Sequence, residues 1–317
     1  MQHFDPYGAG FMPPRSAFTA ALRVLIISAC SRTKVATTPF ARLYKQPEAN
    51  VRYHFSQLQK EGILRVCDEE RIGGFWRRYY VAVRQRVYMD EDFARLVPKE
   101  RQGVSLGVLW DLSERCREAR AAGTIDALAG SHLSRFDLAL DPLGWTEVMA
   151  ELMRNFERGF EIQAAALEQL KTGHQDLLPI TYGLAGFEAP QAARRPPGET
   201  PLSRRWGPSW AVAANFSAHA RRALEEGTMD ERTDSHLTWS PFVLNRQSWD
   251  DLSGELRLTR ERITEIQAGA TARLQLNGGE PIPTTVALIG FKSAGIYEPG
   301  RENELSWPPQ ELDPIRG

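Results

Sequence analysis

Two sets of side chains in this sequence could do chemistry, and they lie far apart in the chain. The first is in and after the stretch "NVRYHFSQLQKEGIL", residues 50–64. Val51, Phe55 and Leu58 fall at i, i+4 and i+7, which makes one apolar helical stripe. The opposite face carries Glu48, Ala49, Arg52, Tyr53 and Ser56, with Asn50 in the same first turn. A polar, hydrogen-bonding front end is what a helix needs when its N-terminal residues meet base edges in a major groove. Arg71, Arg77 and Arg78 follow in or beside a hairpin, where a wing would meet phosphates or the minor groove. The second set is Ser131-His132 with Trp145, and its echo Ser235-His236 with Trp249. Neighbouring Ser and His side chains diverge, no carboxylate is placed to orient the imidazole, and no G-x-S-x-G elbow is present. The reading is therefore of structural histidines, core-anchoring tryptophans and no enzyme. A crevice lined by His132, Trp145, His236 and Trp249 is retained as a candidate small-molecule site. His132 and His236 alone do not make a metal site, which needs further ligands. P-loop and G-x-G-x-x-G patterns are missing, and no cofactor is called for.

Composition agrees with that division. At 317 residues, 42% hydrophobic and 25% charged, the chain has room for two domains or three small ones. Its longest apolar run, around Val24–Ile27, is too short to span a bilayer, so no membrane partner is expected. The first residues lack the basic and apolar regions of a signal peptide. Cys30, Cys67 and Cys116 show no paired spacing, which suggests reduced thiols and a cytoplasmic protein. Net charge is −1, but residues 15–88 carry 14 Lys+Arg against 5 Asp+Glu. Of the chain's 39 basic and 40 acidic residues, 25 and 35 then fall elsewhere, a surplus of nine positive charges against a deficit of ten. A basic segment joined to an acidic body points to a polyanion met by the first part alone.

The elements that must position the first set begin with a helix near Ser16, whose Phe18, Leu22, Leu25, Ile26 and Ala29 recur at threes and fours. A break at "SRTKVATT" precedes a short helix, "PFARLY", with Thr38 as its N-cap. Pro47 then opens the amphipathic helix and Gly62 closes it. Two β-prone runs around "RIGG" complete a hairpin. The order predicts a winged helix-turn-helix over residues 15–88. "TPFARLYKQPEANVRYHFSQLQKEGIL" followed by "RRYYVA" resembles the ArsR-like winged-helix family of bacterial transcriptional regulators, whose pattern is V-x-Y-H-x-x-x-L-x-x-x-G before a wing. The resemblance covers about the first quarter of the chain. It implies that Arg52 and Tyr53 face DNA and that His54 packs beside the core. The Cys-containing recognition helix of the metal-sensing branch is absent, which argues against inorganic sensing.

The remainder contains a duplication. "GTIDALAGSHL" at residue 123 returns as "GTMDERTDSHL" at 227, Trp145 as Trp249, "EIQAAA" at 161 as "EIQAGA" at 265, and "PITYGLAGF" at 179 as "PTTVALIGF" at 283. Each pair is 104 residues apart, so the alignment needs no gap. The expected fold class is α+β: the winged helix followed by two tandem α-β-α-β modules, at 104–189 and 211–294, joined by a Pro/Arg-rich linker at 190–210. One copy alone has a thin core, so the two are expected to pair as an intramolecular pseudo-dimer. The motif "SHLSR…LD…GW…EIQA" is similar to the domain that follows the winged helix in ArsR-like regulators of actinobacterial type. Those usually carry one copy.

The sequence thus reads as a one-component transcriptional regulator that binds double-stranded DNA. Its duplicated module would serve assembly or sense a small-molecule effector. Any homodimer is expected through the winged-helix domain, at helix Ser16–Ser31, or on DNA. The competing class is a scaffold whose winged helix no longer reads DNA, but a scaffold has no need of Arg52, Arg71, Arg77 and Arg78 on one side.

Overall fold

The computed structural model describes residues 15–32, 34–82, 93, 95–172, 177–190, 209–232 and 234–294. The chain is mixed α and β and divides into two compact units, residues 1–111 and 112–317. The division falls inside the helix Pro98–Ala121. Among the described residues, no helix is long and apolar enough to cross a membrane.

The first unit holds α1 (Arg15–Arg32), β1 (Val35–Ala36), α2 (Thr37–Leu43), α3 (Glu48–Lys60), β2 (Leu64–Ile72), β3 (Phe75–Ala82) and the first part of α4 (Pro98–Ala121). Its antiparallel sheet runs β1-β3-β2. The predicted stripe of α3 faces inward: Val51, Phe55 and Leu58 are wholly buried, and the Phe55 ring lies edge-on to Phe40 at 5.6 Å and Tyr80 at 5.1 Å. Gly62 follows α3 at φ 71°, the left-handed turn that lets the chain leave the helix and enter β2. Gly73 and Gly74, both at positive φ, form the two-residue turn between Ile72 and Phe75. That conformation matches the twist of a hairpin, and only glycine takes it twice without strain.

Three expectations are corrected here. The "SRTKVATT" break contains β1, whose two residues pair with Tyr80 and Tyr79; a two-residue strand has no periodicity to read. Thr38 is inside α2 rather than its N-cap, and its hydroxyl instead donates to Glu48 at 2.8 Å. The part of the offered dimer helix whose side chains are described is already used: of residues 21–30 of α1 all but Arg23 and Val24 are buried, and a Cβ built on Gly107 of α4 would lie 2.7 Å from Val24 Cβ. That leaves no free apolar stripe along this part of α1 for a second chain.

The second unit continues with the rest of α4, then β4 (His132–Leu140), α5 (Pro142–Thr172), β5 (Leu178–Glu188), α6 (Ser209–Glu226), α7 (Thr228–Glu231), β6 (His236–Leu244), α8 (Arg246–Asn277) and β7 (Ile282–Lys292). Its sheet is antiparallel with strand order β4-β7-β5-β6. The two strands flanking each long helix are therefore parallel and not adjacent, because a strand from the other half of the unit lies between them. The register is reciprocal. His132 pairs with Gly290 and His236 with Gly186, and at the centre Leu184 pairs with Leu288, its own counterpart 104 positions on. Helices obey the same rule: Asn155 Nδ2 donates to Thr259 Oγ1 at 2.8 Å, and Ser113 Oγ meets Ser217 Oγ at 2.9 Å. Both central strands are buried along most of their length. Gly186 and Gly290 leave room for Leu152 and Leu256, whose Cδ1 atoms would lie 2.6 and 2.7 Å from an added Cβ.

Candidate nucleic-acid interface

The buried side of α3 fixes what its other side presents. With Val51, His54, Phe55 and Leu58 inside, Ala49, Arg52 and Tyr53 are exposed and Asn50 and Ser56 are half-buried. Tyr53 is 58% exposed, unusual for a ring on a helix that packs this closely. Arg52 Nη2 donates to Glu48 Oε1 at 2.7 Å one turn earlier. The hydrogen bond from Thr38, and then that from Arg52, hold the Glu48 carboxyl below the usual carboxylate range. Thr38, Glu48 and Arg52 thus form a chain from α2 to the front of α3 that positions the guanidinium. Exposed pairs of this kind contribute little, so exchanging Glu48 for a phosphate or base edge costs little.

His54 is 3% exposed, and its ring lies 5.2 Å from that of Tyr53. Burial, and secondarily the Arg23 guanidinium, lower its pKa, so the ring is a neutral part of the core. Its Nδ1 has no hydrogen-bond partner among the described residues.

In the hairpin, strand alternation separates the three arginines. Glu69 pairs with Arg78, Glu70 with Arg77 and Arg71 with Trp76. Arg71, Trp76 and Arg78 therefore share the face that Tyr80 turns toward the helices, while Arg77 shares the other with Ile72, Phe75 and Tyr79. The expectation of one basic row on one side is corrected by this two-residue period. The acidic run of β2 is already engaged: Asp68 with Lys34 at 2.6 Å, Glu69 with Arg78 at 2.9 Å and Glu70 with the Tyr79 hydroxyl at 2.6 Å. Arg71 and Arg77 make no ion pair among the described residues, so two cations remain available, one on each face of the ribbon.

The four candidate ligand residues of the second unit are not brought together. Trp145 and Trp249 are wholly buried. Trp145 Nε1 donates to Asp234 Oδ2 and Trp249 Nε1 to the Ala129 carbonyl, each at 2.8 Å and each reaching the loop before the other half's first strand. They are core anchors that tie one half to the other. His132 and His236 open β4 and β6, the two outer strands, which run in opposite directions. Following the register, the row of His132 crosses β6 at Ser240, four residues from His236. Three strand spacings across and four residues along separate the two rings by about 20 Å. One metal or one small ligand cannot touch both. His132 Nε2 hydrogen-bonds Ser134 at 2.7 Å, whereas the buried Ser131 and Ser235 Oγ atoms have no partner among the described residues. Neither Ser-His pair is assembled for nucleophilic catalysis.

The repeated EIQA motif also holds residues that couple the two halves, which its sequence alone does not reveal. In "EIQAGA", Gln267 Oε1 accepts from Ala139 N–H at 3.0 Å and its Nε2 donates to the Ala139 carbonyl at 3.1 Å. In "EIQAAA", Gln163 Oε1 accepts from Val243 N–H at 2.9 Å. Ala139 and Val243 are again 104 apart, on the outer strands β4 and β6. Repetition of a polar residue inside a buried helical stripe was the signal available.

No protein-family profile, curated protein or solved structure matches this chain.

Proposed function

We propose that the protein is a cytoplasmic DNA-binding transcriptional regulator whose first unit is a winged helix-turn-helix of ArsR-like type. α3 would be the recognition helix and the β2–β3 hairpin the wing. The single observation that carries the reading is the composition of α3: a fully buried stripe backed by an exposed front of Ala49, Arg52 and Tyr53, with Arg52 held in place by Glu48. A helix used only for packing has no reason to hold an arginine and a tyrosine in solvent at its N-terminal turns. The surplus of basic residues over 15–88 supports the same reading.

The second unit is read as two copies of one module forming an intramolecular pseudo-dimer. The reciprocal strand register and the Asn155–Thr259 and Ser113–Ser217 contacts support it, since in an isologous interface each residue on the axis meets its own counterpart. With its halves satisfied within one chain, the module would hold geometry rather than recruit a second molecule, and a homodimer would assemble on DNA. A small-molecule effector stays part of the proposal only at a site other than one shared by His132 and His236.

The test is a gel shift with DNA from around the protein's own gene at two salt concentrations. Arg52→Ala should cost about 1–3 kcal/mol on the specific site and relax selectivity. Arg77→Ala should weaken all sequences alike and flatten the salt dependence. Arg52→Ala with unchanged selectivity would exclude α3 as the reading element.

A further inference from the structure

The hairpin tip ends in large apolar side chains that the fold does not use. Phe75 is 82% exposed, Trp76 65% and Ile72 38%. The turn between them is Gly73-Gly74, and a Cβ built on either glycine meets nothing within 4 Å among the described residues. Exposed aromatics at the end of a ribbon are a liability unless something covers them.

Their arrangement says what kind of surface would cover them. The last cross-strand pair, Ile72–Phe75, lies on one face of the ribbon, and the next pair, Arg71–Trp76, places its ring on the other. A patch built to dock on a flat protein surface would gather its apolar groups on one face. Here both faces are apolar at the tip and both carry a cation just behind it, Arg77 behind Phe75 and Arg71 beside Trp76. A two-faced wedge with cations on both sides fits a slot with an apolar floor between two anionic walls. The minor groove of duplex DNA has that chemistry: stacked bases at the bottom and a phosphate backbone on each side. The groove is about 6 Å wide, so the ribbon tip enters only if the groove opens, and apolar side chains that unstack a base step open it.

We infer that the β2–β3 tip is an aromatic wedge that inserts Phe75 or Trp76 at a base step of the minor groove and bends the DNA, with Arg71 and Arg77 on the flanking phosphates. This rests on the DNA-binding reading of the first unit and assigns the tip a separate task. α3 reads sequence, whereas the tip selects base steps that unstack easily and sets the bend.

The experiment uses the full-length chain and a duplex selected by it from a random-sequence pool, carrying a fluorophore at each end so that bending is read as energy transfer. Wild type should shorten the end-to-end distance on binding. The Phe75→Ser/Trp76→Ser double variant should bind about 10- to 100-fold more weakly, without the bend, while keeping its preference for the selected sequence. Its melting temperature should be unchanged, because the removed rings lie outside the core. Phe75→Leu/Trp76→Leu should restore much of the bend, since aliphatic wedges also unstack a base step. Arg52→Ala should lose selectivity yet still bend whatever it binds. A Ser variant that binds and bends the duplex like wild type overturns the wedge and leaves the DNA reading standing. The same holds if that variant keeps its DNA affinity and instead loses self-association or attachment to lipid vesicles. A wild-type chain that selects no duplex overturns both.

Discussion

Gln267→Leu and Gln163→Leu are nearly the same substitution at positions 104 apart, yet the structure predicts different costs. Gln267 is 5% exposed and gives both halves of its amide to one residue of the outer strand β4: its Oε1 accepts from Ala139 N–H and its Nε2 donates to the Ala139 carbonyl. A leucine leaves both backbone groups without a partner. A buried orphan costs about 1–3 kcal/mol, and Ala139 is only half-buried, so the two together come to about 2–3 kcal/mol. Gln163 accepts from Val243 N–H on β6, but its own Nε2 is buried with no partner among the described residues. Leucine there orphans one N–H and at the same time removes one orphaned amide, for a net cost of about 0–1 kcal/mol. The expected gap is about 2 kcal/mol, roughly a thirtyfold difference in the unfolding equilibrium. Guanidinium unfolding gives the ranking, and hydrogen exchange assigns it. The Ala139 amide should lose protection in Gln267→Leu, and the Val243 amide in Gln163→Leu. A cost for Gln163→Leu equal to or above that of Gln267→Leu would refute the account, as would an Ala139 amide that stays protected without Gln267.

Burial, and secondarily the Arg135 guanidinium, push the His219 imidazole down to about 4, against an opposing pull from Asp137. An unfolded histidine titrates near 6.5, so this stability is fully present above that pH and is lost as pH falls toward 4. It amounts to about 3 kcal/mol in total, and His219→Gln should flatten that part of a stability–pH curve. A chain ended after Pro190 keeps β4 and β5 but loses the β7 strand that lies between them. Sedimentation should find it associated as a dimer that supplies the missing strand from a second copy; a well-folded monomer would contradict the interleaved sheet.

What the sequence alone determined was local. Apolar stripes at threes and fours defined α3 and the long helices, because burial of one face is written in side-chain spacing. Gly62 and the Gly73-Gly74 pair marked the turns, since their positive φ values suit no other residue as well. The gapless 104-residue offset revealed the repeat. The tertiary structure decided everything that depends on which strand lies beside which. That the halves interleave as β4-β7-β5-β6 follows from pairings between residues from 50 (Gly186–His236) to 158 (His132–Gly290) positions apart, and no local pattern encodes a partner. The same cause moved the candidate sites. His132 and His236 went to opposite corners, Trp145 and Trp249 became ties between halves, and the two EIQA glutamines became backbone partners of outer strands. In the hairpin, the alternation was present in the sequence, but only the register Arg71–Trp76, Glu70–Arg77 and Glu69–Arg78 fixed which arginine stands on which face. A one-residue slip would have reversed all three, and it is the Gly-Gly turn together with Tyr80 in the core that prevents it.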